Sequence, residues 1–227
     1  MEHLGKIFGD PNRVKVMRLF LWNEGTPFTL ADVTMRALVS GERTRRELSQ
    51  LTTIGFLFKK KFTEKVLVKN LKKKAKTNKA KLTTNKKPTK STIVNPVYKR
   101  VQRTGWVLNP KFELVEPLRS LLIDTELVRE SEIIRRLRES GKIELLILSG
   151  IFVRDENRKV DVLAVGDGID GKLFEKQIAI IESEVGRELS YSLFEVAEFN
   201  YRLGMYDKLL RDVLENHHTT LVDKLRS

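Results

Sequence analysis

Residues 158–167 read RKVDVLAVGD, and they decide how the C-terminal half of this chain folds. A short apolar run with β-branched residues, closed by a Gly-Asp turn, has the pattern of a buried strand rather than a helix. Side chains two positions apart on a strand share a face, so Lys159 and Asp161 project together. A strand built to hold catalytic metal ions presents two carboxylates in that spacing. Here one of the pair is an ammonium group, and a Lys159–Asp161 charge pair on the strand edge is the expected arrangement.

The pattern continues on both sides. Upstream, KIELLILSG (142–150) reads as a second buried strand that leads into a turn at Gly150-Ile151. Downstream, GKLFEKQIAIIESEVG (171–186) is an amphipathic helix, and RELSYSLF (187–194) alternates strictly, as a third strand would. Two or three short helices follow, among them MYDKLLRDVLENHH (205–218). Residues 141–227 thus predict a small α/β or α+β domain whose sheet is covered on at least one face. Asp155, Asp167 and Asp170 stand beside Asn or Gly and read as turn residues. Arg187 and Glu188 read as a surface pair. GDGIDG (166–171) lacks the Lys-Ser/Thr partner of a phosphate-binding loop. Phe20, Trp22, Tyr201 and Tyr206, at helical spacing, read as packing residues.

The N-terminal half has helix, turn, helix, turn, helix. In DPNRVKVMRLFLW (10–22), Asp10 can cap and Pro11 can open a helix whose apolar stripe includes Val14, Met17 and Leu21. Thr29 and Asp32 have capping-box spacing for a second helix. Ser40 can cap a third, GERTRRELSQLTTIG (41–55), which Gly55 ends. Thr44, Leu48 and Leu51 fall on one side of that helix, which leaves Arg43, Arg45, Arg46, Ser49 and Gln50 on the other, as in a helix lying in the DNA major groove. FLFKKKF (56–62) and VYKRVQRTGWVLN (97–109) read as a strand and its return. Residues 123–140 read as a linker helix, with an apolar face of Leu127, Ile133, Ile134 and Leu137 and a stop at Gly141.

Charge is concentrated in one place. Of 43 basic and 30 acidic side chains, fourteen lysines and one acid, Glu64, fall within residues 59–90, so the rest of the chain carries 29 of each. KNLKKKAKTNKAKLTTNKKPTK (69–90) has too few apolar residues to offset the entropy of ordering, and residues 62–96 are expected to be a mobile basic insert. Lys59, Lys60, Lys61, Lys72, Lys73, Lys74, Lys86 and Lys87 are candidates for neutralising backbone phosphates. There is no cysteine, which removes disulfides and thiolate chemistry. His217 and His218 are adjacent and His3 is terminal, so no structural metal and no cofactor are expected. No apolar run reaches the ~18 residues of a membrane span. The start, MEHLGKIFGDPNRVK, lacks a secretory pattern, so a cytoplasmic protein with no membrane partner is expected.

Two resemblances follow from these segments. LSQLTTIGFL (48–57) and GWVLNPKFELVEPLRSLL (105–122) resemble ArsR-type winged helix-turn-helix domains of bacterial and archaeal regulators, over about residues 8–122. The order strand, Gly turn, acidic strand, helix, RELSYSLF resembles the minimal nucleotidyltransferase domain of the DNA polymerase beta-like superfamily, over about residues 141–222. Active members of that superfamily have Gly-Ser where this chain has Gly150-Ile151, paired carboxylates where it has Lys159 and Asp161, and a third acid near Ser190.

Together the resemblances imply an α+β chain: a winged helix-turn-helix domain over 1–122, a linker over 123–140, and a degenerate nucleotidyltransferase-like domain over 141–227. They imply a transcriptional regulator that binds double-stranded DNA, with homodimers on paired half-sites, and a former transferase domain that serves dimerisation, sensing or partner contact. Two alternatives stay open. One is a nucleotidyltransferase enzyme acting on nucleic acid or protein, and the other is a winged helix that binds RNA or protein.

Overall fold

The computed structural model describes residues 2–67, 98–124, 128–155 and 157–225. Lys72, Lys73, Lys74, Lys86 and Lys87 of the basic insert, together with Leu127 and Glu156, lie outside the described residues. The architecture is mixed α+β, and no helix among the described residues is long and apolar enough to cross a membrane. Among the described residues, those of 2–60 and 105–225 form one compact unit and 61–67 with 98–104 a second.

Helix α1 (Glu2–Ile7) precedes α2 (Pro11–Trp22), which starts where Asp10 accepts the Asn12 N–H at 2.8 Å and Pro11 supplies a preset φ. Thr29 and Asp32 cap α3 (Leu30–Ala37) reciprocally. Ser40 occupies the cap position of α4 (Gly41–Thr53), but its side chain makes no capping bond. Gly55, at φ +82°, turns the chain out of that helix. Strands β1 (Leu57–Leu67) and β2 (Tyr98–Leu108) pair into a two-stranded sheet, which Phe28 extends through a single bridge to Trp106. Asn109 ties the base of the hairpin to the end of α4 by bonding the Phe56 and Gly55 carbonyls.

Instead of one apolar stripe, α2 is buried nearly all round: Val14, Val16, Met17, Arg18, Leu19, Phe20 and Leu21 are all inside. One side joins the core formed by α3, α4 and the hairpin base. Against the other lies α7 (Gly171–Val185), capped by Asp170 and ended by Gly186 at φ +90°. A Cβ on Gly186 would sit 2.6 Å from the Arg18 carbonyl carbon, so only glycine lets the two backbones meet this closely. Arg18 is fully buried at this junction. It donates to the Leu122 carbonyl, at the end of α5 (Val115–Leu122), and to the Glu184 carbonyl, each at 2.8 Å. Burial pulls its guanidinium down to about 10, opposed in part by Glu184.

The linker expected over 123–140 is realised as a shorter helix, α6 (Glu130–Arg138). The helix starts only after Arg129, whose backbone is extended, and Glu130 and Glu132 favour a helix N-terminus there. Beyond it the sheet order is β5-β4-β3-β6, with β3 (Leu145–Leu148) central and antiparallel to β4 (Val162–Val165) and to β6 (Thr219–Asp223). Strand β5 (Tyr191–Phe194) runs parallel to β4, and α7 makes the crossover. Strand β6, after α8 (Val196–Gly204) and α9 (Lys208–Leu214), was not expected from the sequence. Both faces of β3 and β4 are buried. Leu146, Leu148, Val162 and Ala164 pack with α6 and α7, while Leu145, Ile147, Leu163 and Val165 pack with Phe199, Leu210 and Val213 of α8 and α9.

Candidate functional site

The first candidate is the outer face of α4. Thr44, Glu47, Leu48 and Leu51 point inward, and Arg43, Arg45, Arg46, Ser49 and Gln50 are all exposed, as the helical spacing predicts. Glu42, in the first turn, lies 3.9 Å from Arg46. A charged residue on the inward face needs a partner, and Glu47 has one: Arg13 of α2 donates its Nε at 2.7 Å. The same guanidinium donates to the Phe8 carbonyl at 3.2 Å and to Gln50 Oε1. Gln50 is therefore held by its carbonyl end, which leaves its NH2 end as a directed donor on the exposed face. The sequence reading missed both Arg13 and Glu47. Helical spacing already places Glu47 beside Thr44, Leu48 and Leu51, which is the signal that would have found the pair.

Lys59 and Lys60 follow on β1, both exposed, with the Lys59 ammonium 5.6 Å from the centre of the Trp106 ring. Lys61, in the second unit, is also exposed.

The second candidate is the acidic strand, where three observations define the site and the first of them corrects the expected charge pair. First, β4 begins at Val162, so Lys159 and Asp161 precede it, and they do not pair. Asp161 is buried and Lys159 exposed. The carboxylate faces backbone donors instead: Oδ1 accepts the Ile151 N–H at 3.1 Å and Oδ2 the Ser190 N–H at 2.8 Å. Fixed amides satisfy a buried charge without holding a long side chain in one conformation, while the Lys159 ammonium keeps its hydration. Lys159 lines a surface hollow with Lys208, Arg211, Asp212, Glu215 and Asn216.

Second, Ile151 keeps its side chain inside. It is buried in the core beneath the sheet and offers only its amide to Asp161. Gly150, at φ +58°, is required beside it, since a Cβ there would lie 2.1 Å from Asp161 Oδ1. Third, Ser190 is part of the same clamp: its carbonyl accepts the Asp161 N–H at 2.6 Å. Asp161 thus joins the turn after β3 to the approach to β5.

Both oxygens of the Asp161 carboxylate accept backbone N–H groups. Among the described residues, no three His, Asp or Glu side chains gather closely enough to hold a metal ion.

The other candidates serve local structure. Asp170 caps α7, Asp167 accepts the Val196 N–H at the start of α8, and Asp155 accepts the Asn157 N–H and pairs with Arg158 at 2.7 Å. Arg187 and Glu188 diverge: Glu188 pairs with Arg36 at 2.7 Å, and the Arg187 guanidinium lies 5.2 Å from the centre of the Trp22 ring. Phe20 is buried and Trp22 packs against the core under the sheet, but Tyr201 and Tyr206 are 68% and 79% exposed and are not packing residues. The buried side of α8 is set by Phe199, and Tyr206 sits at φ 54° in the turn that follows.

Comparison of the chain with family models, with curated proteins and with solved structures gives no match in any of the three.

Proposed function

We propose that this chain is a DNA-binding transcriptional regulator, in which α2, α3, α4 and the β1–β2 hairpin act as a winged helix-turn-helix and α4 enters the major groove. The observation that carries this reading is the outer face of α4. Three arginines, a serine and a glutamine stand exposed on a helix whose inner face is anchored by Leu48, Leu51 and the Glu47–Arg13 pair. Arginine can bond guanine bidentately, and glutamine can bond adenine. Lys59, Lys60 and Lys61, with the lysines of the insert, would add contacts that depend on salt and not on sequence.

In this reading the four-stranded sheet with α6 to α9 is a former nucleotidyltransferase domain, kept for dimerisation, sensing or partner contact and not for turnover. The clamp at Asp161 supports it. A carboxylate bonded to two backbone amides stabilises the fold, and removing those bonds to take up a metal would leave the buried Ile151 N–H without a partner.

Two experiments test the two halves of the reading. Arg45→Ala and Arg46→Ala should each weaken binding to a preferred duplex by roughly five- to a hundredfold, as expected for loss of a base contact, and weaken binding to scrambled DNA far less. Equal losses on both duplexes would remove α4 from base reading. Incubation with magnesium and a labelled nucleoside triphosphate should transfer no label. Transfer that Asp161→Ala abolishes would establish the enzyme instead.

A further inference from the structure

Beside the C-terminal half of α4 lies a cavity of about 510 Å³. Phe8, Met17, Leu51, Phe112 and Leu118 form its apolar wall. Ile54 and Leu114, 59% and 53% exposed, also line it and open it to solvent. Its polar groups come from Arg13, Ser49, Gln50 and Thr53. Cavities that hold small molecules are commonly ~300–1,000 Å³, mostly apolar, with a few convergent polar groups. By size and lining this one belongs among them.

The lining also constrains the ligand's chemistry. The Arg13 guanidinium is engaged by Glu47, Gln50 and the Phe8 carbonyl. A ligand carboxylate would have to displace Glu47 from Arg13 and strand it as a buried charge, so an anion is disfavoured. Two phenylalanines and the Met17 thioether favour an aromatic ring, which they can meet edge-on or through sulfur. Thr53 already donates its hydroxyl to the Ser49 carbonyl, so the side-chain donors left for a ligand are the Ser49 hydroxyl and the Gln50 NH2 group.

Gln50 belongs to both the cavity and the outer face of α4. We propose that the cavity binds a neutral, largely apolar molecule of one or two aromatic rings, and that its occupancy changes DNA affinity by redirecting Gln50. The second clause rests on the DNA-binding reading of α4, while the first does not.

The test uses the full chain and N-phenyl-1-naphthylamine, a neutral aromatic dye that brightens in apolar sites. The dye should bind saturably, one per chain. Ile54→Arg and Leu114→Arg, at exposed positions that leave the core intact, should each weaken it roughly tenfold, and Tyr206→Ser, an exposed aromatic elsewhere, should not. Dye binding that ignores both arginine variants overturns the site. So does a dimer that both variants convert to monomer, because a second copy then covers the cavity. Saturating dye should also shift the dissociation constant for labelled DNA severalfold in the unmodified chain and not in Gln50→Ala. An unmoved constant overturns the coupling. Dye binding of the expected kind in a chain that binds no DNA supports the cavity and removes the α4 reading alone.

Discussion

At Gly150 and Gly186 an added methyl group meets two different obstacles. At Gly150 it meets the Asp161 carboxylate, a side chain that can be removed; at Gly186 it meets the backbone of Arg18 and Leu19, which cannot. Gly150→Ala should destabilise by on the order of 1–3 kcal/mol from strain at positive φ, with the clash added. In an Asp161→Ala background the clash is absent, so urea unfolding of the four proteins in the cycle should give a coupling of about 0.5–3 kcal/mol. Strict additivity would mean that Asp161 does not stand where Gly150 needs the space. Gly186→Ala should be destabilising with no such rescue from truncating Arg18. A further test concerns Glu182, whose carboxyl is raised above the ordinary glutamate value by burial, then by Glu188. The Leu189 N–H and Arg36 oppose the shift. A group whose folded pKa is raised contributes fully below its unfolded value, and its contribution is lost as pH rises through the folded one. Stability should therefore decline from about pH 4 upward by a component that Glu182→Gln removes. An unchanged pH slope in that variant would contradict the assignment.

Among the elements, those with local chemical punctuation were legible in the sequence. Asp10-Pro11 opens α2, Thr29 and Asp32 box α3, and Gly55 ends α4, whereas Asp170, read as a turn residue, caps α7. What was not legible depends on neighbours distant in the chain. The stripe read on α2 was too narrow because α7 covers its other side, more than a hundred residues away. Strand β6 follows two short helices and pairs with β3 across about seventy residues, and its five residues carry little periodicity of their own. The partner of Asp161 was misread for a related reason: two residues on a supposed strand face were matched by charge, while the true donors are amides ten and twenty-nine residues away. Helix α4 yields its own prediction. Arg13→Ala leaves Glu47 buried without its partner and releases Gln50, so it should cost roughly 1–3 kcal/mol in thermal or urea unfolding. It should also lower discrimination between duplexes more than Lys60→Ala does. Equal discrimination by the two variants would show that orienting Gln50 has no part in recognition.

Across the whole molecule, net charge and fold are separable. Outside residues 59–90 basic and acidic side chains balance, so the excess of +13 belongs to one segment. Deleting residues 68–97 should therefore weaken binding to every duplex alike and reduce the salt dependence, since phosphate neutralisation releases counterions whatever the bases. A changed sequence preference in the deletion variant would contradict this division between segment and helix. The most direct test of the central claim is fluorescence anisotropy of the purified chain with DNA from upstream of its own gene and with scrambled DNA, at two salt concentrations. The account predicts a preference for the natural sequence that persists at the higher salt, because base contacts outlast counterion release. Equal binding to both duplexes, vanishing together as salt rises, would contradict it and leave the lysines as the whole source of affinity.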